Sequence, residues 1–146
     1  MHFTTYFEKW FQKKKSKESL KKAECKFDGT GEGNIKGTLE LFEKEKELHI
    51  MGTLTGFKGD DDEEVKHGFH VHEKGDLHDN CKASGGHFNP VSQKHGAPSD
   101  VTRHMGDLGN IKSLGNEAKV HIRDKIALLD GDNSVLNKFI FILLQW

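Results

Sequence analysis

The stretch His67-Gly-Phe-His70-Val-His72 decides how this chain is read, together with the loop-like run His87-Phe-Asn-Pro90, His95-Gly96 and Arg103-His104-Met-Gly-Asp107 that follows it. Seven of the ten histidines lie between His67 and His104. Alternate side chains of an extended strand share a face, so His70 and His72 project together while His67, Phe69 and Val71 point the other way. A His-x-His pair on a strand is commonly no more than a surface pair. Here it is followed by His87, His95, His104 and Asp107 in segments rich in Gly, Pro, Asn and Ser, which read as loops able to wrap an ion. Imidazole and carboxylate are ligands suited to zinc and copper, and the spacing favours two metal sites over one.

Outward from this stretch the chain reads as all-β. Ile35, Gly37, Leu39 and Leu41 alternate as one half-buried strand, and Leu48, Ile50, Gly52 and Leu54 as the next, with the charged segment Glu43 to Glu47 as a solvated hairpin turn. Asp60 to Glu64 reads as a polar loop, with cation binding as the less favoured reading. Ala118, Val120 and Ile122 mark a further strand, and Ile126 to Leu129 another. Short, closely spaced strands predict a sandwich or barrel.

At the quoted residues the chain resembles the copper/zinc superoxide dismutases. The matching run comprises His67-Gly-Phe-His-Val-His-Glu73, Gly75-Asp76, Cys81, Gly86-His-Phe-Asn-Pro90, His95-Gly96, Pro98, Asp100 and Arg103-His-Met-Gly-Asp-Leu-Gly-Asn110, with weaker likeness from about Lys22 to about Lys138. The resemblance implies a Greek-key β-barrel with metals on its outer face. It implies that His70, His72 and His87 bind copper and act in catalysis, and that His87, His95, His104 and Asp107 bind zinc, His87 being the bridging imidazolate. The implied reaction is dismutation of superoxide to oxygen and hydrogen peroxide. His67 is read as a structural histidine beneath the site. His2, His49, His78 and His121 match no family ligand and are read as solvent-facing.

Two ends depart from the family. Residues 1 to 22 carry seven lysines against Glu8 and Glu18, with Phe3, Phe7, Trp10 and Phe11 at helical spacing and a Thr5-x-x-Glu8 capping box. This predicts a short amphipathic helix ahead of a domain spanning 23–138; a loosely attached extension is favoured over a membrane-surface or targeting role. At the other end, residues 139–146 form an apolar, divergent tail. Phe139 to Leu144 is open to two readings, the penultimate barrel strand or an unrelated tail with an aggregation-prone edge. By register, Leu143 takes the place of the family's fourth copper histidine. The family segment beyond it, with a second cysteine for Cys81, a ligand-orienting aspartate, a substrate-steering loop, an arginine and a last strand, is not in the sequence. Cys81 is therefore expected as a free thiol and the barrel as incomplete.

Composition bounds the alternatives. One chain of 146 residues suits a single domain, and a formal net charge of -1 gives no general argument for nucleic-acid or membrane partners. No apolar run approaches the roughly 20 residues of a membrane span, and without a secretory signal pattern the cytoplasm is the expected compartment. Two cysteines are too few for a disulfide scaffold. Family dismutases often pair, so a homodimer is open. The expected function is superoxide dismutation with impaired turnover. The rival is a non-enzymatic metal- or partner-binding protein, including a copper-chaperone-like one, although a chaperone's N-terminal Cys-x-x-Cys domain is absent from the sequence.

Overall fold

The computed structural model describes residues 21–30, 33–74 and 84–144. Seven antiparallel strands, β1 (Lys22–Asp28), β2 (Lys36–Lys44), β3 (Glu47–Thr55), β4 (Glu64–His72), β5 (Asp107–Leu114), β6 (Glu117–Asp124) and β7 (Phe139–Leu143), form one sheet in the order β1-β2-β3-β6-β5-β4-β7. It curls into a nearly closed barrel of Greek-key type, as expected. The Greek key arises where the chain leaves β3 and passes β6 and β5 to start β4. The expected N-terminal helix lies outside the described residues, as do His2, His78 and Cys81.

Alternation produces the core. Ala23, Cys25 and Phe27 of β1, Leu39 and Leu41 of β2, and Leu48, Ile50 and Leu54 of β3 are buried, while the residues between them, charged throughout β1, are exposed or half-buried. Phe69 and Val71, Leu108 and Ile111, Ala118 and Val120, and Ile140 and Ile142 complete it from the other four strands. The β2–β3 hairpin turns on Glu45 and Lys46, with φ of 54° and 64°, the positive values that a two-residue primed turn demands. The ends of that charged stretch are paired rather than simply solvated: Glu43 accepts the Leu129 amide and pairs with Lys21, and Glu47 receives Arg123 and Lys125.

Two segments differ from or decide between the expectations. Ile126 to Leu129 is not a strand. Asp124 Oδ1 accepts the amides of Ile126 (2.8 Å) and Ala127 (2.7 Å), bending the chain just after β6, and Leu128 keeps only an isolated bridge to Ser134. Its apolar side chains reach the core from a turn. Phe139 to Leu143, by contrast, is a strand: β7 pairs along β4, setting Phe139 against His72, Phe141 against His70 and Leu143 against Gly68. It enters through Asn137 at φ 59°, a left-handed position that asparagine tolerates.

Candidate metal centre

Three separate pieces of chain are laced together by backbone hydrogen bonds beside β4. The Phe88 amide donates to Val71 O (2.7 Å), the Val71 amide to Gly106 O (2.9 Å), and the Gly106 amide to Phe88 O (2.9 Å). Each laced residue is next to or near a candidate ligand: Val71 stands between His70 and His72, Phe88 follows His87, and Gly106 lies between His104 and Asp107. The closeness requires glycine. A Cβ on Gly106 would stand 2.1 Å from Val71 O and 2.9 Å from the Phe88 nitrogen. The strand itself is irregular here, its register against β5 shifting between Gly68 and His70, a device that re-aims side chains at barrel rims.

Asp107 is the hub of one group. It is buried, and its Oδ2 accepts the amides of Gly96 (3.0 Å) and His104 (3.0 Å). That fixes Oδ1 toward three imidazoles: Nδ1 of His87 at 2.5 Å, of His95 at 3.1 Å and of His104 at 3.3 Å. One donor atom from each of the four residues fits within 4.8 Å of every other. His104 Nδ1 is buried with no hydrogen-bond partner among the described residues, an orphan that a cation among these donors would satisfy. Burial pushes the Asp107 carboxyl up, but the hydrogen bonds from His87, Gly96 and His104 and the neighbouring His104 ring outweigh it and hold the carboxyl below its ordinary range. An anionic oxygen with three imidazole nitrogens is a donor set that suits tetrahedral zinc.

The second group shares His87. Its ring lies 4.3 Å from that of His70 and 5.0 Å from that of His72, centroid to centroid. With His87 Nδ1 turned to Asp107, its Nε2 is the nitrogen left for this side. His72 Nδ1 lies 3.1 Å from both the Gly85 carbonyl and the Ser84 hydroxyl; donating there, it leaves Nε2 as its open nitrogen. Burial first, and the adjacent His87 second, lower the pKa of His70 and of His72 to about 4. Both rings are therefore neutral at physiological pH and ready to act as ligands.

His67 is buried, with Nε2 2.8 Å from Ser113 Oγ and Phe57 packed against its ring, on the face away from His70 and His72 as the alternation predicted. His49 departs from its solvent-facing reading: it stacks on Phe42 with centroids 4.9 Å apart, while His121 beside it is exposed. Arg103, quoted in the sequence motif without a role, turns out to anchor the loop. Its buried guanidinium donates to the carbonyls of His104 (3.2 Å) and Asp107 (3.1 Å) and pairs with buried Asp124. No local signal joins Arg103, in the loop before β5, to Asp124 at the end of β6. Phe141 was also unassigned; its ring lies 4.0 Å from that of His72.

A fold of this topology with such paired histidine groups defines a metal-binding Greek-key barrel. The family model described as copper/zinc superoxide dismutase matches residues 35–144, and the chain belongs to the copper/zinc superoxide dismutase family, whose metals are the two that the donor sets suit. An extracellular copper/zinc superoxide dismutase of Caenorhabditis elegans is 38% identical over 73% of this chain and 46% of its own length. Superoxide dismutase [Cu-Zn] 5 of Dictyostelium discoideum is 45% identical over 64% of this chain and 59% of its own. The chain thus spans about half the length of these two curated relatives. A copper/zinc superoxide dismutase of Yarrowia lipolytica is 39% identical over 77% of this chain and 72% of its own. Among solved structures, the clock protein EA4 superimposes with a TM-score of 0.65 at 34% identity, covering 74% of this chain and 67% of that one. Among the described residues no helix is long and apolar enough to cross a membrane.

Proposed function

We propose that this chain dismutes superoxide, converting two superoxide anions and two protons into oxygen and hydrogen peroxide, with His70, His72 and His87 holding copper and His87, His95, His104 and Asp107 holding zinc. The observation that carries the reading is the shared position of His87, whose Nδ1 faces Asp107 Oδ1 at 2.5 Å while its ring abuts His70 and His72. When bound, copper supplies the one-electron exchange and zinc a fixed positive charge without redox change. The chain's part is preorganisation. Asp107, held by two amides, orients the imidazoles of one group; the Gly85 carbonyl fixes the tautomer of His72; burial keeps His70 and His72 unprotonated. Whenever it is not engaged by copper, His87 Nε2 would be the atom to hold a proton for peroxide formation, its ring kept in place by Nδ1 facing Asp107.

Turnover slower than that of dismutases with a fourth copper histidine belongs to the same proposal, because Leu143 stands at that position. A second reading, a non-enzymatic metal- or partner-binding protein, is favoured by the same residue. Metal stoichiometry and superoxide consumption by pulse radiolysis, measured on one zinc- and copper-loaded sample, separate them: metal bound with no consumption above free-ion background leaves only the second reading. The proposal extends to a cytoplasmic location and a homodimer, to be tested by cell fractionation and light scattering.

A further inference from the structure

Phe141 is a buried aromatic residue that the barrel core does not use. Side chains alternate along β7, so Ile140 and Ile142 enter the core while Phe139, Phe141 and Leu143 take the other face. Phe139 and Leu143 are half-buried there, whereas Phe141 is 7% exposed. Its side chain is not part of the core cluster to which both its neighbours belong. It lies instead against an imidazole. The ring centroid is 4.0 Å from that of His72, with the two planes 33° apart, so the rings are in van der Waals contact with no room for water between them.

A ligand imidazole has to be fixed in two ways. A hydrogen bond at Nδ1 sets the tautomer, yet by itself it leaves the ring free to pivot, because the last torsion of histidine is broad. A flat surface against the ring sets its plane. His72 has both. Its Nδ1 donates to the Gly85 carbonyl at 3.1 Å, with the buried Ser84 hydroxyl at the same distance, and Phe141 supplies the surface. Strand register delivers it: Phe139 pairs with His72 and Phe141 with His70, so the phenylalanine reaches His72 along the diagonal that aromatic side chains can span. His70 is held differently, its ring stacked on that of His87.

We infer that Phe141 is a positioning residue for His72, holding the plane in which the imidazole offers Nε2 to copper. This rests on the reading above that His72 is a copper ligand. The role calls for an aromatic face and not merely for apolar bulk.

The test uses the full chain, zinc-loaded. Phe141→Leu keeps apolar bulk and removes the plane; Phe141→Tyr restores it. Without copper, nitrogen-15 NMR reads the His72 Nδ1 proton, whose exchange with water should speed in Phe141→Leu. With copper(II), supplied from a nitrilotriacetate buffer, affinity should fall about 10–100-fold, as when a group that orients a ligand is lost. Zinc affinity should stay unchanged, and the electron paramagnetic resonance lines should broaden with the spread of ring orientations. Phe141→Tyr should return all of these toward wild type. A role in packing alone would lower the melting temperature without separating copper affinity from zinc affinity. Where His72→Ala weakens copper binding but a zinc-replete Phe141→Leu does not, the inference alone is overturned. If Phe141→Leu loses zinc as well, the wild-type chain decides: nuclear Overhauser contacts between the Phe141 and His72 rings uphold the face contact, and their absence overturns it. If His72→Ala leaves copper affinity unchanged, the copper assignment fails and the inference with it.

Discussion

Replacing Arg103 with methionine tests whether the loop carrying His104 and Asp107 is anchored from inside the barrel. The guanidinium is 2% exposed and Asp124 3%. Methionine removes two hydrogen bonds, to the carbonyls of His104 and Asp107, and strands a buried carboxylate that retains only the Ile126 and Ala127 amides. Breaking one side of such a pair costs about 3–5 kcal/mol, against a total stability of roughly 5–15 kcal/mol for a domain. At about 2–4 °C per kcal/mol for a chain of this size, the metal-free protein should melt roughly 6–20 °C lower. Zinc affinity should fall about 10–100-fold, as when the groups that orient ligands are lost. Melting followed by circular dichroism and zinc competition against a fluorescent chelator read the two effects separately. In the double variant Arg103→Met, Asp124→Leu the stranded charge is gone, so stability should recover in part while zinc affinity stays low. A single variant melting within about 2 °C of wild type, or binding zinc equally well, would refute the anchoring argument.

The other predictions concern the ligands themselves. His104→Ala should remove a zinc donor and leave Asp107 short of one imidazole, so unchanged zinc stoichiometry under competition would sink the assignment of that site. Gly106→Ala should cost about 1–3 kcal/mol through overpacking against Val71 O and speed amide exchange at Val71 and Phe88; unchanged exchange would show that the lacing does not depend on that approach. The metal-free chain should lose stability as pH falls from about 6.5 to about 4. His70 and His72 are depressed to about 4 and His67 is lowered too, all three first by burial, so across that window the unfolded chain binds more protons than the folded one. Asp107, held below the ordinary carboxylate range, adds its own loss only below about pH 4. Urea titrations at pH 7.5 and 4.5 check this; equal midpoints would refute it.

How much of this was legible in the sequence depends on the range over which each feature acts. Strand alternation is local, since successive residues of an extended chain face opposite ways; β2, β3, β4 and β6, the shared face of His70 and His72, and the opposed His67 could all be read from it. Ligand chemistry is also local, because imidazole and carboxylate carry their preferences wherever they stand. Ile126 to Leu129 misled because an apolar run fits a turn as well as a strand, and the Asp124 carboxylate that bends it gives no periodic signal. Only the tertiary structure decided that Arg103 meets Asp124, that Gly106 lets three ligand-bearing segments touch, and that Phe139 to Leu143 pairs along β4 to set Leu143 opposite Gly68 and Phe141 opposite His70. Each of those is a contact between residues far apart in sequence, whose partner is chosen by strand register and close packing of the whole barrel, and no single segment encodes that choice.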